Sequence, residues 1–157
     1  MRTVLHLKNP PCVLASAAVG GKTEGKGPLG ERFDLLGDDD RFGQKTWEHA
    51  EGEMSRLALN LALKKAGFSS HDLDLVVSGD LQNQCVASSL GLYTFGAPYL
   101  GLSGACSTCT EALLILSAML SESDTMRLGA AVTSSHNSAA ERQFRTPLEY
   151  GAKRTPT

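Results

Sequence analysis

One stretch constrains the fold more than any other: the apolar run from Cys109 to Leu120, introduced by the small residues Gly104-Ala105-Cys106-Ser107-Thr108. Its apolar side chains fall on nearly every face of a helix, which predicts a helix enclosed by protein rather than a surface amphipath. A short apolar segment, Tyr99 to Leu102, stands just before it. Strand, tight turn and buried helix in that order place Cys106 at a helix N-terminus. Unpaired amide N–H groups and the positive end of the helix dipole act there on a sulfur, or on an anion beside it. Surroundings of that kind favour a thiolate, so the position suits a nucleophile or an anion-binding pocket alike.

The rest of the chain alternates between two periods. Val13 to Val19, ending in Gly20-Gly21, reads as a first strand and its turn. Gly25 to Gly43 holds Pro28 and the run Asp38-Asp39-Asp40, and reads as a structured loop anchored by Leu29, Phe33, Leu35, Leu36 and Phe42. From Thr46 the pattern turns helical. Trp47, Ala50, Met54, Leu57, Ala58, Leu61 and Ala62 recur at three- and four-residue steps, with Glu48, Glu51, Glu53 and Lys64 elsewhere and Gly67 as C-cap. Leu73 to Ser78 predicts a buried strand, Gln82 to Leu92 a helix, Pro98 to Leu102 a short strand, and Leu128 to Thr133 the last strand. Strands alternating with helices imply parallel crossovers and a layered α/β fold.

Composition narrows the function classes. At 157 residues and 41% hydrophobic content the chain is sized for one domain with a real core. A net charge of −2 gives no electrostatic case for nucleic acid or an anionic membrane surface. No apolar run reaches the length of a membrane span, and Met1 to Pro11 lacks the apolar core of a signal peptide. A soluble cytoplasmic protein is expected, with Cys12, Cys85, Cys106 and Cys109 reduced. Glu141 to Thr157 is polar and offers no closing element, so the fold is expected to stop unfinished, although an extended tail would read the same way.

Several side chains are candidates for a site. Cys106 is either a small buried residue at a turn or a functional thiol, and its place at a strand end points to function. Cys106 and Cys109 have redox-dithiol spacing but lack the aromatic and proline context of such sites, and no second close pair completes a zinc site. Cys109 reads as packing. Ser134, Ser135 and His136 end the last strand, where hydroxyls and an imidazole would cluster near a ligand; a hydrogen-bonded loop histidine is the plainer alternative. Arg142 and Arg145 offer forked donors to a carboxylate, or form a solvated basic loop. Asp80 suits a helix cap, while Asn83 and Gln84 could face the cleft of Cys106. Asp38 to Asp40 lacks the ligand spacing of a calcium loop. Glu111, inside an apolar helix, must be paired internally or lie at a pocket edge.

Cys106 in Gly-Ala-Cys-Ser-Thr, opening a helix after a short strand, resembles the nucleophile region of the thiolase-like superfamily. Within it, four stretches are similar to the stage V sporulation protein AD family of endospore-forming bacteria. They are Gly27-Pro28-Leu29-Gly30, Phe42 to Glu48, Gly79 to Gln84, and Ser134-Ser135-His136 through Ala140 to Arg145, extended by Pro147 to Gly151. The resemblance implies the first half of a duplicated α/β/α/β/α architecture, with a mostly parallel sheet and without its second half. It implies a non-enzymatic protein that binds dipicolinic acid, as its calcium chelate, and helps move it into the developing spore. That protein would act peripherally at the inner membrane of the forespore or spore, beside stage V sporulation A membrane proteins, as a homodimer with edges near Tyr93 to Leu100. Cys106 carries over as the motif match. Ser107, Asn83, Gln84, Ser134, Ser135, His136 and Arg142 are expected around the ligand by position; no cofactor or metal is implied. The alternative is a cysteine-dependent acyltransferase using Cys106, although condensing enzymes take histidines or an asparagine from the second half to activate the thiol.

Overall fold

The computed structural model describes residues 4–145, with side chains through Glu141. Its elements are β1 (Val19–Gly20), β2 (Leu35–Leu36), α1 (Trp47–Ala66), β3 (Leu75–Gly79), α2 (Val86–Leu92), β4 (Tyr99–Gly101), α3 (Thr108–Glu122), β5 (Gly129–Thr133) and α4 (Asn137–Arg145). β4, β3 and β5 form a parallel sheet in that order, and β1 pairs in parallel with β2. Successive residues of β3 point to opposite faces, and both faces are covered. Val76 joins Leu59 and Leu63 of α1, Leu92 of α2 and Val132 of β5 on one side. Leu75 and Val77 meet Ala112 and Leu116 of α3 on the other. Helix, sheet and helix thus stack in three layers.

Local chemistry sets the element ends. The Thr46 hydroxyl caps α1 by accepting from the His49 amide. Gly67, at φ 76°, closes it with its amide on the Leu63 and Lys64 carbonyls, a left-handed bend that glycine takes without strain. Asp74 accepts from the Arg127 and Leu128 amides at 2.7 and 3.0 Å, which seats β5 beside β3 and holds the Asp74 carboxyl below its ordinary range. α1 and α2 approach closely at glycines: a Cβ on Gly91 would stand 2.1 Å from the Gly52 carbonyl oxygen.

Four expectations are corrected. Val13 to Ala17 is not a strand, because only Val19–Gly20 finds a partner, in β2. The helix expected from Gln82 begins at Val86, after Gln84 and Cys85 take left-handed backbone at φ 61° and 53°. The polar stretch after His136 is helical, with Ala139 buried against the body of the protein. α3 is not enclosed among the described residues: Leu113 and Leu114 are 49% and 55% exposed, opposite the face that packs on the sheet. The tail expected at Glu141 to Thr157 lies largely outside the described residues, as does everything from residue 146 onward.

The glycine contact yields the first test. Gly91→Ala forces the α1–α2 backbones apart and should cost about 1–3 kcal/mol by overpacking, read as a lower urea midpoint with an unchanged slope.

Candidate functional site

The carboxyl ends of the three parallel strands are level, with Ser78 beside Gly101 and Gly79 beside Thr133. Parallel α/β sheets take ligands at this edge. Three connections meet here: Asp80 to Cys85 after β3, Leu102 to Ser107 after β4, and Ser134 to His136 after β5. A fourth segment, Asp40 to Phe42, docks on them through the His136 ring. The described non-glycine residues with left-handed backbone are Phe42, Gln84, Cys85 and Ala105, all within these segments. Such backbone costs on the order of 1–3 kcal/mol per residue and collects at functional sites.

Cys106 is exposed, in the tight turn Ala105–Ser107 that leads into α3. The Glu111 side chain lies against Gly104, in the space that a Cβ would take. The Ser107 hydroxyl lies within hydrogen-bond reach of both the Gly104 carbonyl and Glu111. A carboxylate therefore already sits at the positive end of α3. Thr108 is buried, and its hydroxyl finds no partner among the described residues. Cys109 is exposed, not packed as expected, because it lies on the open side of the helix.

Sequence reasoning missed Glu51, which it placed on the polar side of α1. Glu51 is fully buried. Its carboxylate accepts from Gln82 Nε2 at 2.8 Å and Ser134 Oγ at 2.9 Å, and from the His136 backbone amide. Burial pushes this carboxyl above the ordinary range; the Gln82 and Ser134 hydrogen bonds pull it back, and nearby Asp80 pushes the same way as burial. Asp80 is buried as well. It accepts from the Gln82 amide at 2.8 Å and from the Ser88 amide and hydroxyl at 2.7 Å, so it anchors the first turn of α2 as a cap does. The signal available in sequence was Glu51 at i+4 from Trp47, one turn along the same helix face.

The expected site residues divide. Cys106, Ser107, Asn83, Gln84 and Ser135 are exposed at the sheet edge. Ser134 is committed to Glu51. His136 is buried; its ring packs on Trp47, Nε2 lies 2.7 Å from the Asp40 carbonyl, and Nδ1 has no partner among the described residues. Arg41 completes the stack, its guanidinium 3.9 Å from the Trp47 ring centroid. Arg142 lies in α4, but its side chain, like that of Arg145, falls outside the described residues. An open groove of about 610 Å³, lined by Arg56, Lys64, Phe68 and Thr94 among others, sits at the opposite, amino end of the sheet. Among the described residues no His, Cys, Asp and Glu side chains group in threes to hold a metal, and no helix is long and apolar enough to cross a membrane.

Comparison with known proteins places this geometry. The family model of Stage V sporulation protein AD matches residues 1–157. The Stage V sporulation protein AD of Bacillus subtilis (strain 168) is 40% identical over 150 residues, covering 96% of this chain and 44% of that protein. The chain thus spans less than half the length of that relative. Among solved structures, 3-oxoacyl-(acyl-carrier-protein) synthase III from Aquifex aeolicus VF5 aligns with a TM-score of 0.51 at 22% identity, over 62% of this chain and 32% of its own. The priming β-ketosynthase of the R1128 polyketide pathway gives 0.47 at 25% identity, over 54% and 27%. The synthase shows the fold, a thiolase-like α/β architecture. By sequence, over its whole length, the chain belongs to the Stage V sporulation protein AD family.

Proposed function

We propose that the sheet edge around Cys106 binds dipicolinic acid, taken as its calcium chelate, in a sporulation protein that performs no catalysis of its own. The observation that carries this reading is the exposed Cys106 thiol at the start of α3, ringed by the strained connections of the sheet. Dipicolinate is a flat ring bearing two carboxylates. The exposed Ser135, Asn83 and Gln84 carry donors of the right kind. Each charge-assisted hydrogen bond contributes about 1.5–3 kcal/mol, so a few reach micromolar affinity after ordering costs. Glu111 selects the species: its carboxylate opposes a free dianion, whereas a chelate brings a cation to face it. Uptake into the spore beside membrane partners is part of the same proposal, and membership of a sporulation protein family supports it. Contact with a second copy is supported by exposed Leu113 and Leu114 on α3 and by Tyr99 and Leu100 on β4, at a sheet edge.

The second reading, acyl transfer by Cys106, draws on the same exposed thiol. One set of measurements separates the two. Calorimetric titration of the purified chain with dipicolinate should saturate in the micromolar range and be several-fold tighter with calcium; Glu111→Gln should narrow that difference. Absence of saturable binding in either condition ends the dipicolinate reading. Incubation with acyl-CoA should leave Cys106 unmodified by mass spectrometry, and a stable acyl-thioester there, lost in Cys106→Ala, establishes the enzyme instead.

A further inference from the structure

We propose that Glu51 is the positioning residue of this site: its buried carboxylate locks the connection after β3 to the connection after β5, and so fixes the wall a ligand meets. The two donors that reach it by side chain come from different connections, Gln82 at 2.8 Å and Ser134 at 2.9 Å. All its partners are neutral, and no cation among the described residues pairs with it. A carboxylate so placed is held for its geometry, since an apolar side chain of similar volume would pack without the desolvation cost. Gln82 is gripped twice, by Glu51 through its side chain and by Asp80 through its amide. Between Gln82 and Ser88, itself bound to Asp80, stand the left-handed Gln84 and Cys85. The Cys85 thiol donates to the Leu102 carbonyl at 3.0 Å, which ties this turn to the connection that leads to Cys106. On the far side, Ser134 and the His136 amide hold the imidazole that secures the Asp40 to Phe42 segment. One interior carboxylate therefore sets three connections of the edge.

Cys85 reports on this lock. It is 7% exposed, while Cys12, Cys106 and Cys109 are exposed and serve as references in the same molecule. Alkylation by N-ethylmaleimide, followed residue by residue by mass spectrometry, should find Cys85 the slowest of the four. Glu51→Ala should raise its rate at least ten-fold relative to the references, whereas Glu51→Gln, which still accepts from Ser134, should keep it protected. Should Glu51→Ala not fold, Ser134→Ala and Gln82→Met each remove one donor and should raise the rate several-fold, with circular dichroism unchanged. Equal protection of Cys85 in every folded variant overturns the proposal, as does a Gln variant as open as Ala. Dipicolinate affinity should follow Cys85 protection through the series. This last arm rests on the binding reading above: a wild-type chain that binds no dipicolinate defeats that reading, while the alkylation series still decides the role of Glu51.

Discussion

A carboxylate removed from water, with no cation to neutralise it, is among the costliest groups a small domain can hold. Glu51 is that group here, and the carboxyl edge of the sheet is organised around satisfying it. Hydrogen bonds to a charged acceptor are stronger than neutral ones, and each donor left without it would itself be stranded in the interior. Satisfied, the network rigidifies three segments far apart in the chain. The sign of its pH linkage follows from the raised carboxyl: the stability it contributes is full at low pH and lost as pH rises through the folded-state pKa. At neutral pH the lock is held at a cost in stability, which is ordinary for groups kept for shape.

The layered core makes such a lock possible. β3 is buried along its whole length between α1 and α2 on one face and α3 on the other. Its end is therefore a fixed platform, and the connections that leave it carry the left-handed residues. Cys106 stands on this edge, and the Glu111 carboxylate lies beside Gly104 and Ser107 in the same turn. The edge carries two carboxylates in different settings. Glu51 is interior and bonded to two connections, whereas Glu111 is half-buried and bonded to Ser107 at the start of α3.

Much of this was legible in the residues, for reasons that are local. Thr46 and Gly67 bracket α1 because capping needs only neighbouring atoms, and the continuous apolar run of β3 announces burial on both faces. Cys106 was placed at a helix start by its small neighbours alone. What escaped depends on distant chain. Glu51 reads as a surface residue because its partners Gln82 and Ser134 lie 31 and 83 positions away. Val13 to Ala17 has strand composition but no strand beside it. The turn at Gln84 and Cys85 carries no glycine to mark its left-handed backbone. α3 is apolar all round, and periodicity cannot say that only one side packs on the sheet.

The buried carboxylate is the claim on which the rest turns, and NMR can observe it directly. The carboxyl carbon of Glu51, followed through a pH titration of the folded chain, should show a midpoint above the ordinary glutamate value of 4.5. A midpoint at or below 4.5 would mean that burial does not dominate at this carboxyl, and would contradict an edge organised around a costly, desolvated interior group.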